Sequence, residues 1–255
     1  MKMLQTSRGP FLADQVRQGD PYELSHGHAI QCFPTGGRGS KAKGAGFKVL
    51  STDPGAEDTG IDTGFSPAPD TLRAPDLSSG TIPDKPGWVK GAPRLAVEYA
   101  DTGQDEEALA EKIEDFLAAG TERIWVVRLD GPRRVEVHRP GAPVRIARPG
   151  EKLEAPGILK HRVLVESLYE EKLSNQVALR NLLEREEGYE SLDEVRAEGE
   201  IEALRADLLA VFEARGLEVD GALRAAIARC DDPRRLRSWH FAAVTAATAR
   251  DAVGL

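Results

Sequence analysis

Two stretches decide how this chain reads: Leu72-Arg73-Ala74-Pro75-Asp76-Leu77 and Leu95-Ala96-Val97-Glu98-Tyr99-Ala100, which set Glu98 22 positions after Asp76. Period-two alternation places Ala96, Glu98 and Ala100 on one face of a strand and Leu95, Val97 and Tyr99 on the other. An acid ending such an apolar run is costly to bury unless it is paired or metal-bound, whereas a strand end facing water would make it ordinary. Asp76 follows Pro75 on a strand read as Leu72–Ser78; taken alone it is equally a turn aspartate. The next element, Asp105–Ala119, is a helix with Leu109, Ile113, Phe116 and Leu117 on one face and Gly120 at its end. Lys112 lies at the edge of that face, where it either snorkels to solvent or turns its amine back toward the two acids. Two carboxylates and a lysine brought together suit phosphodiester chemistry. The acids hold a hard divalent cation, and the amine steadies charge on the phosphate.

Working outward, Pro10–Gln18 reads as a short helix, and Tyr22–Leu24 with Ala29–Phe33 as two strands turned at Gly27. Five glycines between Pro34 and Gly46 point to a loop or weak helix, followed by a strand at Phe47–Leu50. Asp62-Thr63-Gly64-Phe65 enters a further strand, and Pro67–Asp70 forms a turn. Beyond the Lys112 helix, Ile124–Leu129 is an apolar run expected to be buried on both faces. Arg134–Arg139 alternates like an edge strand, and Val144–Ile146 completes a meander. The pattern is an α/β core over residues 1–160. Residues 161–255 read as an all-helical extension, with helices at Glu166–Glu187, Leu192–Arg215 (stripe Leu204, Leu208, Val211, Phe212), Asp220–Arg229 and Pro233–Ala247.

Composition narrows the class. The 255 residues carry a formal net charge of −8, close to −2 over residues 1–160 and −6 beyond. Such a chain is a poor general polyanion binder, so nucleic-acid contact needs a local basic strip. The candidates are Arg38, Lys41, Lys43 and Lys48, then Arg133 and Arg134, although solvated surface charge explains both. Two distant cysteines, Cys32 and Cys230, build neither a disulfide framework nor a zinc cluster, which fits a reducing cytoplasm. No apolar run of about 18 residues marks a membrane span. His26 and His28 lack companion metal ligands, and Gly36-Gly37-Arg38-Gly39 lacks the lysine-serine ending of a phosphate loop. Glu23, after Pro21-Tyr22, is a further candidate acid from the first strand, equally readable as a surface glutamate.

Tyr22-Glu23-Leu24, Asp62–Phe65, Arg73–Asp76, Leu95–Tyr99, Lys112 with its helix, and Ile124–Val127 together resemble the Uma-type restriction endonuclease family of the PD-(D/E)XK nuclease superfamily. The likeness covers about residues 10–160. It implies a restriction-endonuclease-like core, a mixed sheet flanked by helices, and Mg²⁺-dependent DNA cleavage with Mn²⁺ as a substitute. Asp76 would be the acid of the "PD" element and Glu98 the second acid, both on the metal, with Lys112 and Glu23 completing the catalytic set. Two departures stand out. The superfamily lysine two residues after the second acid is Ala100 here, with Lys112 matching the family's helix lysine. The histidine the family often carries after its first strands is absent from Arg38-Gly39-Ser40-Lys41. Three readings follow: a Mg²⁺-dependent endonuclease acting on DNA, a non-catalytic binding or regulatory protein on the same scaffold, and a chain whose helices at 192–215 and 233–247 drive homodimer formation or dock a partner.

Overall fold

A computed structural model describes residues 9–186 and 191–255, which divide into two compact units, Met1–Glu187 and Gly188–Leu255. After a 3₁₀ turn at Ala13–Gln15, the first unit runs through β1 (Tyr22–Ser25), β2 (His28–Gln31), α1 (Gly37–Thr52), β3 (Asp58–Ile61), β4 (Phe65–Ala68), β5 (Thr71–Arg73), β6 (Leu77–Gly80), β7 (Val89–Lys90) and β8 (Leu95–Ala100). It continues with α2 (Glu106–Ala118), β9 (Arg123–Arg128), β10 (Arg134–His138), β11 (Arg145–Ala147), β12 (Lys152–Leu153), β13 (Val163–Leu164), a 3₁₀ turn at Val165–Leu168, and α3 (Glu171–Glu186).

The central sheet has six strands in the order β11-β10-β9-β8-β6-β3, with β8 and β9 parallel and the other neighbours antiparallel. A second sheet runs β2-β1-β5-β4-β7. Alternation along β8 and β9 sorts their side chains onto two apolar layers. Leu95, Val97, Tyr99, Trp125 and Val127 join Ala42, Val49 and Leu50 of α1. Ala96, Ala100, Ile124 and Val126 pack beneath Leu109, Ile113 and Phe116 of α2. Both strands are therefore covered on each face, as the unbroken apolar run at 124–129 requires. Asp105 caps α2 by accepting from the Glu107 and Ala108 amides at 3.1 and 3.0 Å.

Several sequence expectations change. Residues 37–52 form one helix, so Phe47–Leu50 is helical rather than a strand, and the glycines before it do not break it. A Cβ at Gly46 would lie 1.9 Å from the Tyr99 hydroxyl, which crosses α1 there to donate to the Leu168 carbonyl at 2.9 Å. The strand read through Leu72–Ser78 breaks at 74–76, leaving Asp76 between β5 and β6. Only Ala13–Gln15 of the segment 10–18 is helical, as a 3₁₀ turn. β10 lies between β9 and β11 and is not an edge. Its alternation arises because Val135 and Val137 are buried while Arg134, Glu136 and His138 are half-buried on the opposite face.

Residues 161–186, grouped by sequence with the tail, pack on the first unit. Asn181 of α3 is buried and its Nδ2 reaches the Val49 carbonyl at 3.5 Å and the Thr52 hydroxyl at 3.3 Å. Buried Asp53 accepts from the Lys160 and His161 amides at 2.7 and 3.1 Å. Glu187, the last position of the helix expected there, lies outside the described residues.

The second unit holds α4 (Leu192–Ala214), α5 (Gly221–Ala228), α6 (Pro233–Ala243) and α7 (Ala249–Val253). Leu208 and Phe212 from the α4 stripe meet Leu223, Ile227, Leu236 and Trp239 in its core. The expected helix 233–247 ends at Ala243, and Thr248 caps a further short helix beyond it. Among the described residues no helix is long and apolar enough to cross a membrane.

The two kinds of glycine in α1 make opposite predictions. Gly46→Ala drives a methyl into Tyr99 and should destabilise by about 1–3 kcal/mol, the usual cost of overpacking. A Cβ at Gly44 meets nothing within 4 Å, so Gly44→Ala should stabilise by about 0.5–1 kcal/mol through helix propensity. Urea midpoints of the two variants test the pair.

Candidate active site

β6 and β8 pair antiparallel with Leu77 opposite Val97 and Ser78 opposite Ala96. Carrying that register one residue outward sets Asp76 against Glu98. The strand ladder stops there because Pro75 has no amide hydrogen, and the Asp76 carboxylate takes its place: Oδ2 accepts from the Tyr99 amide at 2.6 Å. Oδ1 lies 2.6 Å from Lys43 Nζ of α1, an amine that also donates to the Thr35 hydroxyl at 3.0 Å and stands 3.9 Å from Asp62. Asp62 adopts a positive φ of 50°, and its amide donates to the Asp76 carbonyl at 3.3 Å. Burial pushes the Asp62 carboxyl above its ordinary value, Lys43 pulls it down, and Asp76 adds to the rise.

Glu98 is 7% exposed and faces Lys112, whose Nζ stands 3.0 Å from its Oε1. This ion pair is the contact Oε1 makes in place of a conventional hydrogen bond. Lys112 donates to the Ala74 carbonyl at 2.7 Å and to Glu23 Oε1 at 3.1 Å. Burial pushes the Glu98 carboxyl up to about 8, with Lys112 opposing the rise and Asp76 and Glu23 adding to it. Burial also works against the charge on Lys112, but Glu98, Glu23 and Asp76 outweigh it and hold the ammonium above its usual range.

The structure thus brings Asp76, Glu98, Lys112 and Glu23 into one cleft of about 710 Å³. Lys112 turns inward rather than snorkelling. Lys43 joins them, although the sequence reading placed it in a surface basic strip. Arg73 is the other residue that reading passed over. Only 2% exposed, it lies 3.5 Å from Glu23, 3.6 Å from Glu111 and 2.7 Å from Asp115. Its burial was hidden by a three-residue strand too short to show alternation. Four of the six residues of the proposed basic strips, Lys43 among them, lie beside acids. Arg38 pairs with Asp101, Lys48 lies 3.9 Å from Glu171, and Arg134 stands 3.1 Å from Glu136.

Whether the donors suit a divalent cation follows from their chemistry. Asp76, just before β6, and Glu98, on β8, supply hard carboxylate oxygens, and Glu98 Oε1 is buried without a hydrogen bond. Among the described residues no three His, Cys, Asp or Glu side chains group to hold a metal by themselves. Mg²⁺ commonly takes one or two carboxylates and completes its shell with water and phosphate, so a pair of acids is chemically compatible with it.

A mixed sheet between helices, with paired acids at a strand break and lysines aimed at them, defines a restriction-endonuclease-like α/β protein. Residues 11–164 match the family described as "Uma2: Putative restriction endonuclease", and the chain belongs to that family. Among solved structures it resembles one titled a putative nuclease belonging to DUF820 from Anabaena variabilis ATCC 29413, at 20% identity and a TM-score of 0.54. The likeness covers 63% of this chain and 98% of that one. No curated protein matches the chain.

The raised Glu98 carboxyl carries a stability signature. Between about 4.5 and about 8 the folded state binds a proton at Glu98 more readily than the unfolded chain does, so this group's contribution falls as pH rises through that window. Glu98→Gln removes the titration. Its unfolding midpoint in urea should therefore gain on the wild type steadily from the lower to the upper end of the window.

Proposed function

We propose that this chain is a divalent-metal-dependent nuclease that hydrolyses DNA phosphodiester bonds in the cleft between β6, β8, α1 and α2. The observation that carries the reading is the meeting of Asp76 and Glu98, each engaged by a lysine, at a strand break in a buried cleft. Family membership supports a nucleic-acid phosphodiester as the substrate class. Charge supports the need for metal: the cleft is lined by seven carboxylate residues against three cationic ones, which repels a phosphate backbone unless added cations offset it.

Asp76 and Glu98 would hold Mg²⁺, with Mn²⁺ as a substitute. Bound there, the cation supplies Lewis acidity toward a phosphoryl oxygen and lowers the pKa of a water. The remaining work belongs to the chain. The Tyr99 amide and Lys43 fix the two oxygens of Asp76, and Lys112 draws Glu98 toward the same side. Glu23 spends its oxygens on Lys112 and Arg73, which makes it the support of the amine rather than an orienter of water. Such support keeps the donors within the narrow tolerance that metal-assisted catalysis requires.

Asp76→Ala and Glu98→Gln should each lower Mg²⁺-dependent cleavage of plasmid DNA by about 10²–10³-fold or more, the scale expected when transition-state charge loses a principal stabiliser. Full activity in either variant would refute the site. One observation favours a second reading, a non-catalytic protein on this scaffold: both acids already meet lysine ammonium groups. Calorimetry with Mn²⁺ separates the two, since that reading predicts no Glu98-dependent binding.

A further inference from the structure

The geometry points to Lys43, rather than Lys112, as the cation that contacts the phosphate in this cleft. The inference rests on the nuclease reading and concerns which amine retains hydrogen-bonding capacity for a substrate. An ammonium group has three N–H donors and no acceptor. Lys112 stands among three oxygens, the Ala74 carbonyl at 2.7 Å, Glu98 at 3.0 Å and Glu23 at 3.1 Å. Two donors are hydrogen-bonded, to Ala74 and Glu23, and the remaining side of the ammonium is held at 3.0 Å by the Glu98 ion pair, so two carboxylates would lose their buried partner if the amine moved away. Reaching a phosphate from there means breaking a buried ion pair, which is strongly unfavourable.

Lys43 is placed differently. It meets Asp76 at 2.6 Å and Thr35 at 3.0 Å, while its third oxygen neighbour, Asp62, is 3.9 Å away and beyond hydrogen-bond range. One donor is therefore uncommitted, and the side chain lines the same cleft as both acids. Its position on α1 follows from the buried stripe. Ala42, Ala45, Gly46 and Val49 face the sheet, and Lys43 stands at the edge of that stripe. Lys112 then acts as a positioning residue, holding Glu98 and Glu23, while Lys43 touches both Asp76 and the substrate anion. A cation there can stabilise charge that develops on a nonbridging phosphoryl oxygen.

The two roles separate experimentally through Lys43→Met and Lys112→Met in the full chain, with Lys43→Arg as the conservative variant. Three quantities are read: Mn²⁺ affinity by calorimetry, inorganic phosphate affinity of the Mn²⁺-loaded protein, and single-turnover cleavage of duplex DNA at saturating substrate. Lys43→Met should leave Mn²⁺ affinity close to wild type, because the Tyr99 amide still holds Asp76 in place. It should weaken phosphate binding about 10- to 100-fold, the loss of one charge-assisted hydrogen bond, and slow cleavage by about 10²-fold or more. Lys43→Arg should recover part of both losses. Lys112→Met should instead weaken Mn²⁺ binding first, with cleavage falling in step.

Three results would overturn the assignment. The first is Lys43→Met binding phosphate as tightly as wild type. The second is Lys43→Met losing Mn²⁺ affinity in proportion to cleavage, which would make it only a prop for Asp76. The third is a wild-type protein that binds no phosphate. If the wild type binds Mn²⁺ and phosphate but cuts no DNA, the nuclease reading fails, and the phosphate measurement alone decides the role of Lys43.

Discussion

The Lys112 ammonium is the interaction on which the rest of the cleft depends. From α2 it reaches Glu98 on β8, Glu23 on β1 and the Ala74 carbonyl beside the strand break, so one side chain joins the two sheets and the helix that covers them. Isolated charges at these positions would be very costly, and each is tolerable only because the others are present. Arg73 extends the arrangement, sharing Glu23 with Lys112 and adding Asp115 and Glu111. Ser25 donates to Asp115 at 3.1 Å, and His26 stands 3.3 Å from the same carboxylate. The result is a largely buried ionic network that ties β1, β5 and β8 to α2.

Such a network defines geometry more than it adds stability. A buried ion pair roughly breaks even against well-packed apolar residues of similar volume, so stability here rests on the layers around Trp125, Phe116 and Leu50. What the charges contribute is placement. Asp76 is fixed by an amide donor and an amine, and Glu98 by an amine alone, which leaves Glu98 the less constrained of the two acids. Its buried, unbonded Oε1 is a local imbalance of the kind natural structures keep at sites with work to do.

Much of this was legible in the sequence, and the failures share a cause. The alternation of β8, the both-faces burial of β9 and the face of α2 all follow from side-chain periodicity, so Glu98 and Lys112 could be placed on their elements and pointed at one another. Asp76 was legible as a residue but not in its setting, because a strand that breaks for three residues keeps the same apolar composition. The helix α1 is obscured by its glycines, and the approach of Tyr99 from β8 that requires Gly46 is invisible to local rules. With α1 misread, Lys43 had no face to belong to and was grouped with surface charge. Arg73 and Lys43 both meet partners distant in sequence, and no spacing pattern announces such contacts. The charged tail reads correctly as helical, yet α3 belongs with the first unit because Asn181 and Ser174 are buried polar residues among its charged ones.

The absence of a lysine at position 100 also has a structural reason. Ala100 shares its strand face with Ala96 and Glu98, is 3% exposed, and lies in the apolar layer beneath Leu109, Ile113 and Phe116. An amine growing from that position would have to pass through the underside of α2, displacing the residues that anchor the helix. Overpacking of that kind costs roughly 1–3 kcal/mol before any charge is buried. A lysine on α2 itself enters from the edge of the same layer and needs no such displacement, so α2 can pack tightly on β8 and still supply an ammonium to Glu98. With small residues at 96 and 100 beneath that helix, the lysines of the cleft arrive from helices on either side of the sheet, Lys112 from α2 and Lys43 from α1. The two acids are thereby approached from opposite layers, and an amine that holds a carboxylate can be a different residue from one that meets a substrate.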